Sequence, residues 1–238
     1  MSRWATIRQG FLATLVVWPG VAPIGMVYAV SALSAGLSFW ETLGMSLIVF
    51  AGASQFTAVG MFGSGAHPFS IIATTAIINA RHLLLAASTA SYIRKSPTWL
   101  RALVAFQLTD ETYAVGVQRF TQHGGDAWFQ LGSNLSLYFV WATSTIIGSL
   151  LGALIPNPAA LGLDLIFPLT FIAFTVPMLR DRVNLVLALL AAIISVATAL
   201  VLPGSWYVLT AGILASAVGA WLAQRQQLAP KEPINENS

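Results

Sequence analysis

The 238-residue sequence contains no cysteine, and only 8% of its residues are charged. The lack of cysteine excludes disulfides, thiolate metal sites and a cysteine nucleophile. A soluble domain usually carries about 25% charged residues, so the scarcity of charge argues against a soluble protein. The sequence also lacks a phosphate-binding loop, which excludes ATP as the direct energy source within this chain.

Long uncharged runs take the place of the missing charges. They cover residues 9–40, 42–80, 127–163 and 183–224, and each is longer than the roughly 20 residues that a helix needs to cross a bilayer. Hydrophobic residues make up 57% of the chain. We therefore predict an all-α fold, a polytopic membrane helix bundle.

Glycine, proline and polar breakers divide the apolar runs into about seven or eight spanning segments. Together they form a single transmembrane domain over residues 1–223, and the polar residues 224–238 are predicted to be a disordered tail. The candidate segments are Phe11–Leu33, Thr42–Phe62, Pro68–Tyr92, Trp99–Gln118, Leu131–Ile155, Leu161–Leu179, Val183–Leu202 and Trp206–Ala223.

Breakers also fall inside two neighbouring segments. The stretch "VVWPGVAPIG" places Pro19 and Gly20 in the first segment, and "VFAGASQFTAVG" places Gly52, Ser54 and Gln55 in the second. Interrupted helices at membrane depth must line a cavity or be buried in protein, and in secondary transporters they mark the substrate site. The alternative is that these residues only allow close packing or mild kinks.

The distribution of basic residues conflicts with a bundle in which every segment spans. If the N-terminus is cytoplasmic and all segments cross, the loop with Arg94, Lys95 and Arg101 falls outside, against the positive-inside tendency. A re-entrant or broken segment among the first three, with the fourth lying partly in the interface or a polar interior, resolves the conflict.

Charges inside the apolar runs are the candidate functional groups. Arg81 and His82 lie in the middle of "TTAIINARHLLLAAS", where an arginine costs about 2.5–3.5 kcal/mol unless a partner answers it. The adjacent acids Asp110 and Glu111 are the natural partners, so we expect an ion pair between the third and fourth segments. Asn79 shares a helix face with His82, and Gln107 shares one with the acids.

The residues leave more than one role open. A substrate carboxylate would meet Arg81, its ammonium would meet Asp110 or Glu111, and His82 would relay a proton. Alternatively, the ion pair only locks two helices together. A Ser54, His82 and Asp110 triad has the residue types of a hydrolase but no nucleophile elbow around Ser54, so we expect no enzyme. The sequence shows no paired histidines for a metal, and we expect no metal and no cofactor.

The motifs "PGVAPIGMVYA", "FAGASQFTAVG", "INARHLLLAAS" and "LTDETYAV" together resemble the AzlC family (YgaZ-like). These proteins are large subunits of bacterial branched-chain amino acid exporters. The resemblance implies a multi-pass protein of the bacterial inner membrane that exports leucine, isoleucine, valine and perhaps methionine, together with a small AzlD-like (YgaH-like) membrane subunit. Proton coupling fits the residues above. A structural or assembly subunit with a fixed ion pair stays the alternative.

Overall fold

The computed structural model describes residues 2–153, 182–202 and scattered positions between 172 and 221. The chain divides into two compact units, residues 1–170 and 171–238. All regular elements in the described residues are helices, in agreement with the predicted fold class. They are α1 (Arg3–Ala13), α2 (Trp18–Ser34), α3 (Phe39–Ile48), α4 (Gly52–Gly63), α5 (Pro68–Asn79), α6 (Arg81–Tyr92), α7 (Thr98–Phe106), α8 (Asp110–His123), α9 (Ala127–Ala153) and α10 (Arg182–Val201), with a short 3-10 helix at Thr14–Val17.

Helix α9 is the central element of the first unit, and α1 and α2 run alongside it in the same direction. Small residues make this close approach possible. A side chain at Gly10 would overlap the Phe129 carbonyl, and one at Gly132 would overlap the Ile7 carbonyl. Such small-residue contacts are the usual means of packing helices in membranes, where no hydrophobic effect drives association.

The first segment departs from α-helical geometry at Thr14–Val17, directly before the predicted breakers Pro19 and Gly20, but the path of the chain stays continuous. Helix α1 tightens into the 3-10 turn at Thr14–Val17 and continues directly as α2, with Pro19 in its first turn. Proline fits there because a first-turn residue needs no N–H donor. The whole stretch Arg3–Ser34 is long and apolar enough to span a membrane.

The second segment is re-entrant. Helix α3 runs inward from Ser38, the chain reverses at residues 49–51, and α4 returns to the end from which α3 started. A straight helix from Phe39 to Gly63 would place Gly63 about 35 Å from Phe39. Instead, a Cβ at Gly63 would lie 3.3 Å from the Ala35 Cβ, close to where α3 begins. The reversal places Phe50 at φ 45°, a left-handed conformation that non-glycine residues rarely adopt.

The third segment crosses the unit. Helix α5 leads into α6 through a turn at Ala80, and Pro68–Tyr92 together are long and apolar enough to span. Arg81 therefore lies near the middle of this span.

The fourth segment is a second re-entrant pair, entering from the other end. Helix α7 runs inward, the chain turns at residues 107–109, and α8 returns. The Phe120 ring lies 5.3 Å from the Tyr92 ring, and a side chain at Gly125 would overlap the Tyr92 carbonyl. The end of α8 is thus back beside the end of α6, from which the short loop to α7 departs.

The two re-entrant pairs change the predicted span count and remove the charge conflict. Among the described residues, the helices long and apolar enough to span are Arg3–Ser34, Pro68–Tyr92, Ala127–Gly152 and Arg182–Val201. The second and fourth predicted spans, Thr42–Phe62 and Trp99–Gln118, are therefore corrected to re-entrant pairs. Apolar composition does not distinguish a spanning helix from a re-entrant pair, because the residues of both lie in the hydrocarbon core.

One end of the first unit collects the basic residues, and we name it the basic end. The Arg3 guanidinium lies 5.4 Å from the centre of the Trp128 ring, and Trp128 packs edge-on against Trp99. The start of α1, the loop with Arg94 and Lys95 and the start of α9 consequently share this end. From the positive-inside tendency we expect this end to face the cytoplasm.

In the second unit, α10 corresponds to the predicted segment Val183–Leu202. Thr210 donates a hydrogen bond of 3.0 Å to Thr198, and a Cβ at Gly219 would lie 3.1 Å from Leu187, so the chain turns back along α10. The predicted segment Leu161–Leu179 falls largely outside the described residues, Trp206–Ala223 falls partly outside them, and the predicted tail at 224–238 falls wholly outside them.

Candidate functional site

Arg81 and Asp110 form the ion pair that the sequence predicted. The Nη1 atom of Arg81 lies 2.5 Å from Oδ2 of Asp110. Arg81 begins α6 and Asp110 begins α8, so two helix N-termini meet where the chain changes direction. The positive end of a helix dipole favours the aspartate and disfavours the arginine. Arg81 is thus held at this position mainly by the carboxylate.

The pair is accessible rather than sealed. The side chains of Arg81 and Asp110 are 42% and 47% exposed. Charged groups within membrane spans face a bundle interior or a water-filled cavity rather than lipid. A half-exposed pair at mid-span is therefore expected to face the interior of the bundle or a water-filled cavity rather than lipid.

His82 and Glu111 belong to the same cluster. The His82 imidazole lies within electrostatic range of Arg81, Asp110 and Glu111, and it is half-buried while Glu111 is exposed. The polar residues of the sequence fall into three groups, around Arg81, around Asp110 and around Gln55. The structure brings the first and second of these groups together. The cluster offers a guanidinium, an imidazole and two carboxylates in one place.

Two amide side chains flank the cluster with unused acceptors. Asn79 ends α5, and Gln107 caps the end of α7. The Oδ1 atom of Asn79 and the Oε1 atom of Gln107 are buried without a hydrogen-bond partner among the described residues. A buried unpaired acceptor costs about 1–3 kcal/mol, so these oxygens are placed to accept from a donor that the described residues do not provide.

The third polar group, around Gln55 in α4, is a closed network. The Oε1 atom of Gln55 accepts from the Ala51 N–H at 3.1 Å and from Trp141 Nε1 at 3.2 Å. Its Nε2 donates to Ser46 Oγ at 3.1 Å, and Ser46 is bonded to Thr145 at 2.8 Å. Gln55 is fully buried. The network fixes the reversal between α3 and α4 to α9.

Ser54, Gly52 and the first-segment breakers have structural surroundings. Ser54 is fully buried and donates to the Ala51 carbonyl at 3.0 Å. A Cβ at Gly52 would lie 3.1 Å from the Trp141 ring. Pro19 and Gly20 are exposed in the first turn of α2. Within the described part of the chain, no recorded hydrogen bond or ion pair links any of these residues to the Arg81 cluster.

The residues of α9 that support both re-entrant pairs were not among the predicted site residues. Gln130 donates to the Thr112 carbonyl at 2.9 Å, Asn134 donates to the Val104 carbonyl at 2.9 Å, and Trp141 binds Gln55. Their spacings of four and seven positions correspond to one and two helical turns and place them on one face. Small or polar residues recur on that face of α9 at Gln130, Ser133, Asn134, Ser144, Thr145, Gly148 and Gly152.

The cluster has no features of a metal or hydrolytic centre. Among residues 2–153 and the other described positions, no group of three His, Cys, Asp or Glu side chains is arranged to hold a metal ion. The Ser54 hydroxyl is committed to the Ala51 carbonyl, so it is not arranged as a nucleophile activated by His82. The arrangement suits recognition of a molecule that carries both charges.

Comparison with known proteins decides the family. The model of the AzlC protein family matches residues 16–155, more than half of the chain and the entire stretch that contains both re-entrant pairs. The chain belongs to the AzlC family. This is a family of membrane transport proteins rather than enzymes.

Full-length relatives agree with this placement. The chain is 28% identical to the inner membrane protein YgaZ of Escherichia coli, covering 96% of this chain and 95% of the relative. It is 24% identical to the branched-chain amino acid transport protein AzlC of Bacillus subtilis, covering 87% and 82%. A membrane protein of Archaeoglobus fulgidus is 27% identical, covering 76% and 80%. No solved structure matches the chain. The chain is thus a multi-pass membrane protein with a transport role.

Proposed function

We propose that this AzlC-family chain is the large subunit of a secondary transporter that exports branched-chain amino acids, namely leucine, isoleucine and valine, with methionine as a further candidate. The observation that carries the proposal is the half-exposed Arg81–Asp110 pair at the middle of a span. The Bacillus subtilis relative is a branched-chain amino acid transport protein, which supports the substrate class.

The chemistry of the cluster matches a zwitterion. The guanidinium of Arg81 binds the substrate carboxylate, and Asp110 or Glu111 receives the ammonium group. The amide oxygens of Asn79 and Gln107, which have no hydrogen-bond partner among the described residues, add acceptors for the ammonium protons. The substrate exchanges its own two charges for the Arg81–Asp110 contact, so neither charge of the protein is left unpaired when substrate binds.

Two re-entrant pairs entering from opposite ends support a transport mechanism. Discontinuous helices of this kind surround the midplane site of many secondary transporters, in which one half of the bundle rocks against the other. Proton coupling would use His82, whose ordinary titration range is close to physiological pH, or the carboxylates beside it. A small AzlD-like subunit is the proposed membrane partner.

Efflux of labelled leucine tests the proposal. Cells expressing the chain with and without the small subunit are loaded with leucine, and efflux is followed with and without an uncoupler. We expect Arg81→Gln and Asp110→Asn each to reduce efflux at matched protein levels, and Arg8→Gln, which alters an exposed cation of the basic end, to leave it unchanged.

Unchanged efflux in both cluster variants would reject the site. If the same variants instead reduce the amount of folded protein and its association with the small subunit, with normal efflux per folded molecule, the ion pair is purely structural. Efflux that ignores the uncoupler would reject coupling to the proton gradient and point to a passive pathway.

A further inference from the structure

We propose that a cavity between α6 and α7 binds an anionic phospholipid, with an acyl chain inside the cavity and the phosphate held by Arg101. The cavity has a volume of about 390 Å³, within the range of small-molecule sites. It is separate from the Gln55 network and lies toward the basic end from the Arg81 cluster. Its lining residues are Ala86, Ala87, Thr89, Ala90, Ile93, Thr98, Arg101, Ala102, Val104, Ala105 and Leu108.

The shape of the cavity follows from small side chains on both walls. Alanines at 86, 87 and 90 line it from α6, and alanines at 102 and 105 line it from α7. The α6 wall from Ala86 to Ile93 is about 10 Å long. It runs from the depth of the α7–α8 turn up to the basic end, parallel to the direction in which an acyl chain lies in a bilayer.

The polar lining residues are Thr89 on α6 and Thr98 and Arg101 on α7, and the last two lie in the part of α7 that starts at the basic end. The Arg101 Nη2 atom donates to Thr98 at 3.2 Å, whereas its Nε atom is buried without a partner among the described residues. The hydroxyl of Thr89, a residue that is only 2% exposed, is likewise unpartnered. A guanidinium N–H and a hydroxyl at this cavity therefore lack partners among the described residues, and an anionic oxygen that reached them would supply one.

The surroundings favour a lipid over the amino acid substrate. The lining includes no aspartate or glutamate, so the cavity has no carboxylate for the ammonium group of a zwitterion. Arg94 and Lys95 lie in the loop that leads into α7, both exposed. Basic residues next to a spanning helix at the cytoplasmic face attract anionic headgroups. The apolar chamber and the cationic rim thus match the two parts of a phospholipid.

A partner helix fits the cavity less well. A helix with its side chains is about 10 Å across and would need more room than the cavity between α6 and α7 provides, because a short loop joins these helices. A free inorganic phosphate ion would offer Arg101 the same anionic oxygens as a lipid headgroup. The experiment therefore separates lipid from inorganic phosphate and from a protein partner.

The test uses the purified full-length chain in detergent. Native mass spectrometry compares bound phosphatidylglycerol with bound phosphatidylcholine, and thermal unfolding is measured with each lipid. We expect phosphatidylglycerol to bind preferentially and to raise the Tm more than phosphatidylcholine. Arg101→Gln should weaken phosphatidylglycerol binding about fivefold, the contribution of one cation near an anionic surface. Arg8→Gln, a cation on α1, should leave binding unchanged.

A second variant keeps the charge and fills the chamber. Ala90→Leu should reduce binding of both lipids, and it keeps the proposal testable if Arg101→Gln folds poorly. Equal binding of the two lipids, unchanged binding in Ala90→Leu, or a Tm increase reproduced by inorganic phosphate alone would each overturn the proposal. Loss of the small membrane subunit from Ala90→Leu, with lipid binding intact, would overturn it in favour of a protein contact.

Discussion

The two re-entrant pairs have the same architecture and opposite chemistry. In α3–α4 the polar groups at the reversal are neutral, and Gln55 bonds to Ala51, Ser46 and Trp141. In α7–α8 the reversal is followed at once by Asp110, which pairs with Arg81 while remaining half-exposed. A satisfied amide network fixes a backbone, whereas an accessible ion pair can be exchanged for a ligand's charges.

This difference assigns separate tasks to the two pairs. The α3–α4 pair is the fixed support, bound to α9 through Gln55 and Ser46. The α7–α8 pair carries Asp110 and Glu111, the acidic groups of the proposed substrate site, and lies beside the spanning helix that contains Arg81. We expect substitutions in the two pairs to differ in their effect on stability, with the largest loss at the Gln55 network.

Gln55→Leu should be the most damaging substitution. It leaves the Ala51 N–H and the Trp141 indole N–H buried without an acceptor, and each orphaned group costs about 1–3 kcal/mol. We expect a clear loss of folded protein and a lower Tm in detergent. Gln118→Leu, an amide exposed on α8, is the matched control and should keep the wild-type Tm. Equal Tm values for the two variants would contradict a closed network.

Gly116→Ala should come next. A side chain there would overlap the Gln130 amide, which holds the Thr112 carbonyl, and overpacking of this kind costs about 1–3 kcal/mol. The matched change Gly44→Ala lies in α3, where a Cβ would meet nothing within 4 Å, and it should be neutral or slightly stabilising. Thermal unfolding compares the two. A stable Gly116→Ala variant would show that α8 is not packed closely on α9.

Arg81→Gln should affect stability less than either change above, despite its proposed effect on efflux. A half-exposed ion pair contributes about 0–1 kcal/mol. The reversed pair Arg81→Asp with Asp110→Arg should restore the wild-type Tm without restoring leucine efflux, because the positions of the two charges determine how a zwitterion is oriented. Recovery of efflux in the double variant would mean that the pair acts only as a helix contact.

Glu41→Gln should have the smallest effect, and its effect should depend on pH. The hydroxyl and backbone N–H of Ser38 both donate to Glu41, which lowers the pKa of this carboxyl below its ordinary value. The stabilisation is therefore present above the ordinary carboxyl pKa and is lost as the pH falls through the lowered one. The Tm difference from wild type should vanish in acid. A difference that persists there would rule out the ionised capping box as its source.

The ion pair was predictable because charge is so scarce in these segments. Arg81 is a cation deep in an apolar run and Asp110 belongs to the one pair of adjacent acids in such a run, so each needed the other. The predicted role of the cluster in substrate binding stays a prediction. The partner choice between Asp110 and Glu111 could not be predicted, because it depends on how α8 is rotated at its first turn.

The re-entrant pairs were only partly predictable. Breakers at Gly52, Ser54 and Gln55 indicated an interruption, and the loop charges required one segment to return. The reversal itself depends on Phe50 in a left-handed conformation, which no residue preference indicates. The partner of Gln55 is Trp141, separated from it by 86 positions, and such a contact emerges only when α9 is packed. In the first segment the departure from α-helix lies at Thr14–Val17, directly before Pro19, and Pro23 is accommodated inside α2.

The most direct test of the central claim compares the water accessibility of the two pairs. The chain has no cysteine, so single cysteines at Ala114 in α8 and Ala58 in α4 can be labelled without background. Ala114 is exposed and Ala58 is 6% exposed. We expect a membrane-impermeant thiol reagent to modify Ala114→Cys, more slowly when leucine is present, and to leave Ala58→Cys unmodified. Equal labelling of both, or labelling of Ala58→Cys alone, would contradict it.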